Sequence, residues 1–255
     1  MELSVTFWVL AYLAAFFVGC SKGGLQLLGL LSVPLLSLVI PAGAAAGLIL
    51  PIYILSDWYG LWLYRHEYNK RNILILIPAG IIGIGIGWAL AHVTNEDMVK
   101  VLVAAIGVAY CVDAVLKSRR VIEPKPADVP RGLFWGTLAG FTSFVSHAGG
   151  PPYNMYVLPQ RLPKMVYAGT TTIIFAAVNL LKLPPYWILG QVNASSLWIC
   201  LYLAPMSLFG AWAGYKLTGI LQEKLFFRTV EAALILVAIL LLREALPPLW
   251  HQWIG

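Results

Sequence analysis

Gly19-Cys20-Ser21-Lys22-Gly23-Gly24 interrupts an apolar run over residues 5–40, and Ser146-His147-Ala148-Gly149-Gly150-Pro151-Pro152 interrupts a second one over residues 132–158. Glycine lacks a side chain that favours helix and proline removes a backbone donor, so Gly-Gly and Pro-Pro end a helix inside an otherwise apolar stretch. Around these two breaks lie uninterrupted apolar segments at 43–64, 72–92, 98–116, 166–182, 195–216 and 229–243. Each has the length, or nearly so, to cross a hydrocarbon core as a helix.

The composition agrees with that reading. Charged residues are 11% and hydrophobic residues 60% of the chain, where a soluble domain carries about 25% charge; a water-soluble globule is excluded. The opening Met1-Glu2-Leu3 has no basic stretch of a secretory signal, so the first apolar run is read as structure. A net charge of +6 is not arranged as a Lys/Arg stripe interleaved with aromatics, which argues against a nucleic-acid partner. Cys20, Cys111 and Cys200 lie in apolar segments without CxxC or metal-ligand spacing. They read as small buried hydrophobes, and nothing in the sequence calls for a metal or a cofactor.

The breaks also mark a duplication. Residues 126 apart pair Gly23 with Gly149, Gly24 with Gly150, Ala42 with Ala168 and Gly43 with Gly169; one residue further, Pro78 pairs with Pro205, Gly83 with Gly210 and Gly87 with Gly214. The hydropathy order repeats as well: broken segment, then three apolar segments. The expected organisation is a first membrane repeat over 1–116, a linker over 117–131 with Pro124, Pro126 and Pro130, and a second repeat over 132–255.

Lys and Arg positions set the expected orientation. Arg65, Lys70 and Arg71 in one loop, and Lys117, Arg119, Arg120, Lys125 and Arg131 in the linker, belong in the cytoplasm. The acidic loop Asn95-Glu96-Asp97 belongs outside. In the second half the pattern reverses: Arg161 and Lys164 precede a span, 183–194 is uncharged, and Lys216, Lys224 and Arg228 follow the next span. The fold class expected is therefore an all-α integral membrane protein, an inverted repeat of two halves, each a broken re-entrant segment plus three transmembrane helices. All basic residues but Lys22, Lys100, Lys182 and Arg243 then face the cytoplasm, with Lys182 outside. Four crossings per half would make the halves parallel and push Arg161 and Lys164 outward, against the charge bias. Trp58, Trp62, Trp187, Trp250 and Trp253 near segment ends read as an interfacial belt, and Gly80, Gly83, Gly85 and Gly87 as a close helix contact.

Two opposed broken segments bring their breaks together near the bilayer midplane, where inverted-repeat transporters bind substrate. Half-helix starts present free N–H groups and partial positive charge, suited to an anion. Gly23, Gly24, Gly149 and Gly150 would allow close approach to backbone, and Pro151 suits the first turn of a half-helix. Lys22 is the basic residue that no loop accounts for, and is the candidate counter-charge, with snorkelling to water as the alternative. Ser21, Gln26, Ser143, Ser146 and Asn154 surround the breaks with neutral hydrogen-bonding groups. Thr170, with Thr171, Thr172 and Asn179, adds polar groups in the next helix, where threonines often bond their own backbone. His147 and Asp57 are the proton-coupling candidates, though a structural bond or an interfacial place would account for them too, as for Asp113 and Glu231.

These motifs and the duplicated architecture resemble the sulfite exporter TauE/SafE family of small membrane transporters over nearly the whole chain. The resemblance implies export of sulfite, sulfoacetate or a related organosulfur anion across the bacterial inner membrane; the breaks by themselves imply an anion, not sulfur. An intramembrane enzyme using His147 as base and Ser143 or Ser146 as nucleophile is the alternative. No HExxH, GxSxG or orienting carboxylate supports it. A membrane assembly factor is disfavoured by the short hydrophilic loops.

Overall fold

The computed structural model describes residues 4–93 and 124–232, with 102, 105, 108, 234–236 and 239. The expected segment 98–116 apart from 102, 105 and 108, part of 229–243, the linker before 124, the loop Asn95-Glu96-Asp97, and Lys100, Cys111, Asp113, Arg243, Trp250 and Trp253 lie outside the described residues. Among the described residues the structure is helical, without strands.

Helix α1 spans Val5–Lys22, a 3-10 turn Gln26–Leu31, α2 Ser32–Ser37, α3 Ala42–Leu63 and α4 Lys70–Ala89. After the linker come α5 Val129–Ser146, α6 Gly150–Val157, a 3-10 turn Leu158–Gln160, α7 Lys164–Ile188 and α8 Ala194–Ile220; a further helix opens at 223. Five of these, α1, α3, α4, α7 and α8, are long and apolar enough to cross a membrane. The starts follow local chemistry. Ser4, Asn69 and Asp128 each accept a hydrogen bond from the N–H three residues on, and Asn193 forms a capping box with Ser196. Both quoted breaks end a helix, α1 at Gly23 and α5 at His147. Pro151 and Pro152 occupy the first turn of α6, where a missing N–H costs little.

One boundary departs from expectation. The fourth uninterrupted segment was expected to end at Lys182, ahead of Pro184 and Pro185, with that lysine outside. Helix α7 instead continues through both prolines to Ile188, and Lys182 is fully buried at 0% exposure. Two prolines so close to a helix end remove few bonds, and the last carbonyls are taken up by Leu189 N–H on Pro185 and Gln191 N–H on Tyr186.

Packing fixes the helix directions. Along α1 and α8, Trp8 meets Tyr202, Phe16 meets Phe209, Gly19 lies on Ser207 and Ala211, and Gly23 lies on Ala211 and Tyr215; the two run parallel. Along α4 and α5, Gly132 lies on Ile75, Gly136 on Ala79, Gly140 on Gly80, and Gly87 on Phe144; these also run parallel. Helices α3 and α7 run antiparallel: Gly47 near the start of α3 meets Gln191 beyond the end of α7, Asp57 meets Asn179, and Gly169 meets Glu67 beyond the end of α3. Apolar side chains of α8, including Trp198, Leu201, Tyr202 and Trp212, point outward, as do Trp58, Trp62 and Trp187.

Between apolar helices in lipid, contact is driven by close packing, and small residues permit it. A Cβ on Gly83 would stand 2.0 Å from the Thr137 carbonyl oxygen, whereas one on Gly85 would meet nothing within 4 Å. Gly83→Leu is therefore expected to destabilise the protein by about 3 kcal/mol or more, at and beyond the usual range for overpacking, and Gly85→Leu by less than about 0.5 kcal/mol. Thermal unfolding of the two variants in the same detergent checks the contrast.

Candidate anion site between the two broken segments

Each half delivers polar groups to the interior from the end of its broken segment and from the helix that follows. Lys22 is the last residue of α1. Tyr53 and Asp57, one turn apart, share a face of α3. His147 closes α5 in the left-handed conformation, at φ 55°, which non-glycine residues adopt only at a cost of roughly 1–2 kcal/mol. Its N–H caps Ser143 and the Ala148 N–H caps Thr142. Helix α7 contributes a stripe at helical spacing: Thr171, Thr172, Phe175, Asn179, Lys182 and Tyr186.

These groups converge on a small pocket lined by Ser21, Lys22, Gln26 and Tyr53 from the first half of the chain and by Ser143, His147, Gly150 and Asn179 from the second. Thr171, Thr172, Phe175, Gly29 and Leu30 complete its wall. The start of the 3-10 turn at Gln26 and the start of α6 at Gly150 both open onto it, so two half-helix beginnings face one cavity.

Two charged clusters flank the Tyr53 ring. On one side Lys22 Nζ lies 2.7 Å from Asp57 Oδ1, with both side chains 5% exposed. Asn179 Nδ2 donates to the other carboxylate oxygen at 2.8 Å. The Lys22 ammonium also sits 4.7 Å from the Tyr53 ring centre. Lys22 and Asp57 are thus paired and buried inside the bundle. On the other side Lys182 Nζ donates to the Ser143 carbonyl at 3.1 Å and to its hydroxyl at 3.2 Å, and lies 3.1 Å from His147 Nδ1. The His147 ring stacks on Tyr53 at 5.4 Å between centres. Its Nε2 is 3.4 Å from the hydroxyl of Tyr186, which donates to the Phe144 carbonyl at 2.5 Å.

Of the residues expected from the sequence, Ser21, Lys22, Gln26, Ser143, His147 and Gly150 line the pocket. The others are placed elsewhere. Gly23 and Gly24 turn toward α8: their N–H groups close α1 on Gly19 and Ser21, and the Gly23 carbonyl accepts from Tyr64 at 2.6 Å and Thr218 at 3.1 Å. Gly149 packs on Ala139 and Ser143 of α5, and Pro151 is buried in the first turn of α6. Ser146 donates back to Thr142 at 3.2 Å, and Thr170 donates to Val166 while accepting from the Asn69 N–H. Asn154 accepts from Tyr167 at 2.6 Å, and the same hydroxyl stands 3.1 Å from Gln26 Oε1. Gln26 Nε2 and Asn154 Nδ2 are buried without a partner among the described residues, and Gln26 lies on the pocket wall.

Sequence reasoning missed Tyr53 and Lys182. Tyr53 gave no signal beyond an aromatic in an apolar helix. Lys182 lies three residues after Asn179 and four before Tyr186, on the polar stripe of α7, and that spacing was legible once the helix was carried past Pro184. Among the described residues no group of three or more His, Cys, Asp or Glu could hold a metal. The His147 ring makes no hydrogen bond to the hydroxyl of Ser143 or Ser146 among the described residues; a lysine amine occupies the position that a serine nucleophile would need.

Breaking a buried ion pair by removing one partner costs about 3–5 kcal/mol, while replacing both by apolar residues is often neutral. Lys22→Met and Asp57→Leu are each expected to lower stability by about that amount, and the double variant to recover most of it. A double-mutant cycle from thermal unfolding in detergent reads the coupling.

No curated protein and no solved structure matches the chain. The family model described as Sulfite exporter TauE/SafE matches residues 10–241, nearly the whole length. With helices apolar enough to span a bilayer and a buried polar site between them, the chain belongs to the TauE/SafE sulfite exporter family and is a multi-pass membrane protein.

Proposed function

We infer that this protein is a secondary transporter that exports a small organosulfur anion, such as sulfite or sulfoacetate, across the bacterial inner membrane by alternating access, with proton coupling. The observation that carries this reading is the pocket itself: one cavity walled by both broken segments, with Lys22, His147 and the unpartnered Gln26 amide on its surface. A tetrahedral oxyanion needs such converging donors and a cation, and a site shared by two halves is the one that relative motion of the halves exposes to each side in turn. The two repeats, 1–116 and 132–255, act as the moving bodies, and the linker 117–131 lies in the cytoplasm.

Helix directions support inversion of the halves. The short connections α3 to α4 and α7 to α8 make each of those pairs antiparallel. With α3 taken as up, the packing described above gives up, up, down for α1, α3 and α4, and down, down, up for α5, α7 and α8. Because α1 and α3 start at the same end, the chain between them returns there, which is the course of a re-entrant segment; residues 147–163 make the corresponding return. The ends of α3 and α8 and the starts of α5 and α7 then share one side, with Arg65, Lys70, Arg131, Arg161, Lys164 and Lys216 near it, and the basic-residue bias makes that side cytoplasmic.

Proteoliposomes of the purified protein are expected to show saturable flux of radiolabelled sulfite or sulfoacetate that responds to an imposed pH gradient. The Lys22→Met/Asp57→Leu double variant, folded but without its pocket-wall cation, is expected to lose flux by about thirtyfold or more, the equivalent of about 2 kcal/mol for a buried charge contact. Absence of flux for sulfite, sulfoacetate and sulfate alike, in folded protein, would overturn the substrate class.

A further inference from the structure

The two charged clusters are assembled in the same way: each sets a group from the end of a broken segment, Lys22 or His147, against one from the following long helix, Asp57 or Lys182. Their chemistry differs. The first pair, ammonium and carboxylate, is neutral and closed on itself. In the second, two basic nitrogens stand 3.1 Å apart with neutral partners around them: Ser143, Tyr186 and the Tyr53 ring. Among the described residues no carboxylate makes an ion pair with Lys182.

Such a pair has two accessible charges. With one proton it is +1, the Lys182 ammonium donating to His147 Nδ1 and the imidazole keeping its hydrogen on Nε2, toward the Tyr186 oxygen. Without that proton it is neutral, amine against imidazole. With two it would place like charges in contact inside a bilayer, which is excluded on energy. The remaining charged groups near it are Lys22 from α1 and Asp57 from α3, already paired with each other. Tyr53 and Tyr186 are the phenols that face it. Helix α4, which packs on α7 with Gly80 against Val178, carries as charged residues only Lys70 and Arg71, in its first turn.

We propose that His147 and Lys182 hold one exchangeable proton, and that this proton is taken up as the anion enters the pocket and leaves with it. The inference rests on the transport reading above and names the residues that couple it. His147 lies on the pocket wall and Lys182 directly behind it. An anion arriving in a buried cavity whose other charges cancel draws a proton from bulk solvent onto the pair: one N–H bond forms, one O–H bond of a hydronium ion or buffer acid breaks with water or buffer base as the leaving group, and the incoming negative charge meets one new positive charge. A monoanion then crosses as a neutral unit, and a dianion with one charge fewer.

Sulfoacetate is the suitable probe because both of its acidic groups stay ionised from about pH 6 to about pH 9, so any proton consumed belongs to the protein. In weakly buffered detergent solution with an indicator dye, the full-length protein is expected to take up about one proton per sulfoacetate bound. Its affinity falls by about tenfold per pH unit wherever the free pair is deprotonated, since binding requires the protonated form and that form becomes scarcer as pH rises. Lys182→Arg keeps a charge that cannot be released; it is expected to bind sulfoacetate with no proton uptake and no pH dependence. The Lys22→Met/Asp57→Leu double variant removes both charges of the first cluster and leaves the rest of the cavity neutral; it is expected to bind sulfoacetate more weakly but still to take up about one proton per anion bound.

Uptake that persists in Lys182→Arg, or that disappears in the Lys22→Met/Asp57→Leu double variant at saturating sulfoacetate, would place the proton outside the His147–Lys182 pair and overturn the proposal. Should Lys182→Arg fail to fold, the wild-type series decides: affinity constant from about pH 6 to about pH 9 overturns it as well. Failure of folded wild-type protein to bind any of sulfite, sulfoacetate or sulfate is a different outcome, and it overturns the transport reading itself.

Discussion

A charge cannot stand alone in hydrocarbon, and the Lys22–Asp57 contact at 2.7 Å is what allows α1 to end inside the bundle. The ammonium sits where the first helix stops. Its partner comes from the last third of α3, and the second carboxylate oxygen is held by Asn179 of α7. One ion pair therefore ties three helices from both halves at the level of the pocket. Desolvating the two charges costs several kcal/mol each, so the arrangement is poor as a source of stability and good as a constraint: any motion that separates α1 from α3 has to give Lys22 another anion.

The scaffold around that contact is built for close approach. Glycines on α1 and α8, and on α4 and α5, let the helices run parallel with backbone against backbone. In the reading proposed above, each of these pairs joins the first helix of one half to the third helix of the other, so the halves are interleaved. The polar clusters of the two halves then meet across a single aromatic ring, Tyr53, with Lys22 over it and His147 stacked on it. One cluster is a closed ion pair, and the other is a basic pair with no carboxylate on it among the described residues.

Much of the architecture was legible in the chain because the bilayer leaves few options. Backbone groups in hydrocarbon must be satisfied within the segment, so an apolar run of sufficient length is a helix and a Gly-Gly or Gly-Pro-Pro inside it is an end. Four spans, α3, α4, α7 and α8, and both breaks follow from that rule. The prolines misled at one place, since near a helix terminus they remove few bonds; the cost was Lys182, read as a loop residue outside. The glycines of the first break were read as facing a ligand, but their backbone is taken up by α1's own cap and by Tyr64 and Thr218. A glycine in sequence marks close approach without saying to what.

The sequence by itself determined that this protein lives in a membrane and that polar residues gather where each broken segment stops. Hydropathy, helix-breaking residues and the placement of Lys and Arg are local properties, and local properties can be read along a chain. Which side chains touch was decided only by the tertiary structure. Lys22 and Asp57 are 35 positions apart, and Asp57 and Asn179 are 122 apart. No local rule joins them, because partner choice depends on helix rotation and on glycine contacts between distant segments. The chemistry of the site is set by those pairings: a lysine with a carboxylate is closed, and a lysine with a histidine is free to change its charge.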